Sequence, residues 1–183
     1  MRRFGFILLS LTLLCSAVAA GWFGYAVWGD WRDNSDIRAM AAGRNAVPRD
    51  NADTRAVLGR ILFLAHRDKL LEAQDVLPLM IGAPDVQMAE AQYAIGNARM
   101  RAAFELIQTA RLNDSIPEVS LAKAAYRDAL RADPAYKDAK VNLDLAMRLV
   151  RDLPRPEAEG DSDPENRPRR LWTDLPGMPR GAP

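Results

Sequence analysis

The chain has one cysteine, Cys15, and one histidine, His66, so the chemistry open to it is narrow. Structural zinc takes about four Cys or His ligands and a disulfide takes two thiols, which excludes a zinc knuckle, a CxxC redox centre and a disulfide framework. A Cys-His nucleophile pair would need Cys15 beside His66. Cys15 lies inside an apolar run and His66 at the end of an amphipathic helix, so the sequence places them in different environments. The residues before Cys15, Thr12-Leu13-Leu14, lack the small side chains of a lipidation site, and the cysteine reads as a small apolar filler. Asp161, Asp163 and Glu165 alternate like the opening of a calcium loop. The sixth position, where such a loop needs glycine, is Asn166, and the twelfth, where it needs glutamate, is Trp172. Carboxylate pairs such as Glu72/Asp75 and Asp138/Asp144 sit on charged helix faces, where solvation explains them. With no Gly-rich phosphate loop, GxSxG or HExxH pattern, the sequence calls for no enzyme, no metal and no cofactor.

The elements carrying these residues fall into three regimes, hidden by whole-chain averages of 49% hydrophobic residues and 25 basic against 24 acidic side chains over 183 positions. That balance sets aside a strongly basic nucleic-acid binder. Phe4 to Trp28 contains no charge, with Arg2-Arg3 before it and Asp30, Arg32 and Asp33 after it. At about 1.5 Å per helical residue, the run crosses a hydrocarbon core of about 30 Å. A signal anchor over residues 1–31 is expected. Cleavage after Ala17-Val18-Ala19 is the competing reading, opposed by the apolar stretch that continues from Gly21 to Trp28. Trp22, Trp28 and Trp31 cluster at the far end, where amphipathic rings favour the headgroup layer, and Arg2-Arg3 mark the cytoplasmic end. This predicts an inner-membrane, single-pass chain with its C-terminal domain in the periplasm. Ala17 with Gly21 and Ala20 with Gly24 have the spacing that lets a second helix approach.

Residues 35–152 read as helical throughout, because Ala, Leu, Arg, Met, Gln and Glu dominate and no strand-like alternation occurs. The expected fold is all-α. Asp53-Thr54 caps a helix to about His66, and Lys69 to Ile81 forms its partner, kinked or shortened at Pro78. A long helix runs from near Val86 to about Leu112. Asn113-Asp114-Ser115 is expected to form a turn, with Ser115-Ile116-Pro117-Glu118 as a capping box opening the next helix. A final helix is expected to start at Pro134, capped by Asp133, and to end before Pro154.

Spacing within this region suggests tetratricopeptide-like antiparallel hairpins. Such units put small residues where helices approach, an aromatic in the next groove and a proline at the end. Ala122, Tyr126, Ala129 and Pro134 follow that order, and Gly96 takes the close-packing position upstream. The unit is irregular, about fourteen residues longer than standard, and an ordinary helical bundle is the competing reading.

Residues 153–183 hold seven of the twelve prolines and a charged stretch of the composition of a flexible linker. Trp172, Leu175 and Met178 then recur every third residue, with Arg180 close behind. They form a candidate docking motif for a partner or for the parent domain.

Together the anchor, Tyr93-Ala94-Ile95-Gly96-Asn97-Ala98-Arg99, the helices around Leu121–Leu130 and Asp138–Pro154, and the terminal run from Trp172 to Gly181 resemble the MxaK family, accessory proteins of methanol-oxidation gene clusters. The resemblance covers most of the chain and is strongest after Tyr93. It implies a role in maturing the pyrroloquinoline-quinone-dependent methanol dehydrogenase by helping calcium into it. It also implies work beside membrane proteins with von Willebrand factor A-like domains and a MoxR-type ATPase. No site residue is carried over by it. The expectation is a membrane-anchored periplasmic adaptor acting through protein surfaces, with neither nucleic acid nor small-molecule substrate. Alternatives are a structural subunit assembled through the transmembrane helix and direct carriage of calcium.

Overall fold

The computed structural model describes the backbone of residues 2–152 and the side chains of residues 9–149. The candidate motif Trp172, Leu175, Met178 and Arg180 lies outside the described residues. Within them the protein is all-helical: α1 (Arg2–Ala41), α2 (Thr54–His66), α3 (Leu70–Val76), a 3-10 turn (Leu77–Met80), α4 (Asp85–Gln108), α5 (Leu112–Ala132) and α6 (Lys137–Asp152).

Helix α1 is long and apolar enough over Leu9–Ala41 to cross a membrane, and none of its apolar window is buried by the rest of the chain. Trp22, Trp28 and Trp31 are all exposed on it. The helix does not break at the polar residues after Trp31. It runs on to Ala41, where Gly43 ends it at φ +80°. Its last turns belong to the domain: Asp33 and Met40 are buried, and Met40 packs with Val57, Leu58 and Ile61 of α2.

Helices α1 and α2 run parallel, because contacts climb both together. The Asp33 carboxylate meets the Asp53 N–H, Met40 and Ile37 lie against Gly59, and Arg67 donates to the Gly43 carbonyl. The intervening residues 42–53 carry the chain back down. Asp53 caps α2 by accepting from the Arg55 N–H at 2.8 Å, and the Arg55 side chain on the same oxygen holds its carboxyl below the usual range. Helix α3 returns antiparallel to α2 and stops early, at the residue before Leu77-Pro78, where the 3-10 turn takes over. Helix α4 runs parallel to α2, and α5 pairs antiparallel with α4, since Tyr126 meets Asn97 while the later Ile107 of α4 packs in one cluster with the earlier Leu112 and Ile116 of α5.

Besides the extension of α1, two boundaries differ from the sequence expectation. Asn113-Asp114-Ser115 is the first turn of α5, and the break falls earlier, at Thr109–Arg111. There Ala110 adopts φ +59°, with its N–H on the Ile107 carbonyl and the Arg111 N–H on the Leu106 carbonyl. That hydrogen-bond pair closes a helix C-terminus around a left-handed residue, normally glycine. Ser115 is therefore fully buried inside α5, donating to the Leu112 carbonyl at 2.7 Å, and Pro117 lies within the helix. The other difference is at α6, which begins at Lys137: Asp133 caps the preceding turn through the Ala135 N–H, and Asp133 is extended, as a residue before proline prefers.

Candidate groove on helices 4 to 6

The floor of the candidate site is built on a close approach of α4 and α5. A Cβ placed on Gly96 would lie 2.6 Å from Cε1 and 2.7 Å from Cδ1 of Tyr126, so only glycine admits that ring. Tyr126 is 1% exposed, and Ala122 and Ala129, one turn to either side of it, are fully buried. Gly96 and Tyr126 thus come together, with Ala122 in the same buried cluster and Ala129 buried one turn on, while Pro134 lies two residues beyond the end of α5, exposed in the turn. Small residues at this spacing let α4 and α5 approach until the ring fills the space between them.

The buried phenol needs a polar partner, and α4 and α6 supply one. The Tyr126 hydroxyl donates to Asn97 Oδ1 at 2.8 Å, and Asn142 Nδ2 of α6 donates to the same oxygen at 2.9 Å and to the Tyr93 hydroxyl at 3.2 Å. Two donors thereby fill the two lone pairs of one amide oxygen. Burial pushes the Tyr126 phenol well above its ordinary value, and burial, reinforced by Tyr93, raises Tyr136 as well. The rings of Tyr93 and Tyr136 are 4.9 Å apart, and those of Tyr93 and Tyr126 are 5.9 Å apart. This network ties three helices at one point. Sequence reasoning identified Tyr126 and Gly96 but missed Asn97 and Asn142, because 45 residues separate the two amides and no local pattern links them.

Above this floor the surface is concave. A groove of about 300 Å³ is lined by Asn97, Met100, Arg101, Phe104, Tyr126, Asn142 and Leu145. A second, of about 340 Å³, lies between α2 and α4 and shares Asn97 and Arg101 with the first. Arg101 is oriented by the Ala65 carbonyl and by Asp68, whose carboxylate it meets at 2.8 Å. Phe104 and Leu145 are exposed on the rim, 39% and 51%. His66 lies exposed at the edge of the second groove, away from Cys15 on α1. Among the described residues, no three His, Cys, Asp or Glu side chains gather where they could hold a metal ion.

Behind the groove, Arg99 is 9% exposed and crosses from α4 to Glu118 of α5 at 3.0 Å and to Gln74 of α3 at 3.1 Å. Glu118, expected as a capping residue, is instead the partner of a buried guanidinium. In comparisons with protein-family models, curated proteins and solved structures, the chain matches none.

Proposed function

We propose that the chain is a membrane-anchored adaptor that holds a protein partner against the α4–α6 groove. The observation that carries this reading is the groove itself: a polar floor of Asn97, Asn142 and Tyr126 held by three helices, with an oriented Arg101 and apolar Phe104 and Leu145 exposed beside it. A rigid polar floor beside exposed apolar side chains suits peptide or protein capture, where a few buried anchors supply the affinity and polar groups set the register. The Gly96–Tyr126 approach also supports reading the hairpins as tetratricopeptide-like.

The resemblance to the MxaK family makes the partner a component of methanol dehydrogenase maturation: the dehydrogenase, a von Willebrand factor A-like membrane protein or the MoxR-type ATPase system. On this reading α1 spans the inner membrane, the domain lies in the periplasm, and the chain helps calcium into the enzyme by bringing proteins together. In a host with a pyrroloquinoline-quinone-dependent methanol dehydrogenase, deleting the chain should leave dehydrogenase polypeptide present but inactive until calcium is raised. Normal activity at ordinary calcium would remove the maturation role.

One observation favours a scaffold reading. Gly21 and Gly24 of α1 face open space, with nothing within 4 Å of a Cβ built on either, so this helix can accept a second helix. Replacing Phe4 to Trp28 by an unrelated membrane span separates the two readings. The adaptor tolerates the exchange, whereas a scaffold assembled through α1 does not.

A further inference from the structure

The end of the domain nearest the anchor carries exposed apolar side chains that the groove does not use. Because α2 and α4 run parallel to the last turns of α1 and α3 runs back, the corner between α3 and α4 returns to the level at which α2 begins. Leu79 there lines a cavity with Val57, the first turn of α2, and with Arg49. Arg49 in turn reaches the Gly29 carbonyl and lies 5.7 Å from the centre of the Trp28 ring. The corner is therefore adjacent to the polar end of the apolar run. Its side chains face outward: Leu79 is 55% exposed, Ile81 84% and Val86 67%, with Gly82 at φ +83° turning the chain between them.

We infer that this corner rests on the bilayer, with Leu79, Ile81 and Val86 in the headgroup layer, so that the domain lies against the membrane surface. The inference depends on the reading of α1 as a membrane span. Asp33, which meets the start of α2, lies about 7–8 Å beyond Trp28 along α1 at about 1.5 Å per residue. A headgroup layer is roughly 5–8 Å thick on each side of the hydrocarbon. The corner is thus within reach of that layer whenever Trp28 and Trp31 sit at its inner edge, where such rings are favoured. Single exposed apolar residues need no explanation, but three at the one corner beside the anchor have an apolar phase within reach. The continuous α1 and its Asp33 contacts hold the corner in that position without a flexible tether.

Full-length protein in vesicles of phosphatidylcholine and phosphatidylglycerol provides the test. Bimane is attached to single cysteines introduced as Ile81→Cys, Val86→Cys or Leu71→Cys in a Cys15→Ala background, and to the native Cys15 in a separate sample. Leu71 is 76% exposed but lies in the first turn of α3, at the opposite end of the domain. Headgroup-nitroxide lipid should quench the labels at 81 and 86 several-fold more than the label at 71, and acyl-chain nitroxide should quench the label at Cys15. Equal quenching at 81, 86 and 71 with Cys15 quenched would overturn the surface contact and leave the anchor standing. An unquenched Cys15 label would overturn both.

Discussion

Two helix contacts in this molecule are held by opposite means. Between α4 and α5 there is no room: Gly96 has the Tyr126 ring where a side chain would be, and buried alanines flank it. Between α1 and α2, Ile37 and Met40 pack against α2 near Gly59, and the rest of the fixing is directional. Asp33 accepts from Arg49 at 2.9 Å and from the Asp53 N–H at 2.9 Å, the bond to Asp33 raises the Arg49 guanidinium above its ordinary value, and a groove of about 510 Å³ remains open beside Ile37, Met40 and Phe63. Close packing transmits any change in volume to the whole domain, whereas a few hydrogen bonds can open locally. The first contact therefore fixes the floor of the groove, and the second fixes how the domain meets its anchor.

The largest effect should come from adding one methyl to the tight contact. Gly96→Ala forces α4 and α5 apart or the ring out of place, and should cost about 2 kcal/mol, read as a lower thermal midpoint of the full chain in detergent. An unchanged midpoint would mean that the ring has space to move. The Tyr126 phenol gives a second handle. Its folded-state value is raised by burial, so the unfolded chain loses its proton first. Stability should then fall as pH rises above about 10, by up to ~1.4 kcal/mol per unit, and Tyr126→Phe should flatten that slope. At the polar contact, Asp33→Ala should act locally: proteolysis or hydrogen exchange within residues 44–53 should rise sharply while the midpoint hardly moves. A global loss of stability there would erase the contrast. A change of opposite sign is expected of Ala110→Gly, which relieves an exposed left-handed residue and should stabilise by about 1 kcal/mol, read as a higher thermal midpoint.

Ala110 also shows why parts of the fold were hidden in the sequence. Helical composition, the apolar run, the Asp53 cap, the Pro78 stop and the small residues around Tyr126 are local signals, and the structure follows them. The end of α4 gave no such signal, because alanine favours continuing a helix and the closing bonds depend on a conformation that it rarely adopts. The Ser115–Glu118 pattern misled for a related reason. Ser115 bonds backward to Leu112, and Glu118 is drawn to Arg99, a partner nineteen residues away. Within the site, Gly96 and Tyr126 were legible from spacing. Asn97 and Asn142 were not, since their meeting depends on α6 folding across α4.

We propose that the groove serves a protein partner in dehydrogenase maturation. Phe104 and Leu145 are exposed on its rim, so Phe104→Ser with Leu145→Ser should leave helicity and thermal midpoint close to those of the unchanged chain. The direct measurement is methanol dehydrogenase activity at ordinary calcium in a deletion host expressing this double variant at normal level. Dehydrogenase polypeptide should then be present but inactive, as in the deletion itself; full activity with the rim removed would exclude the groove as the docking surface.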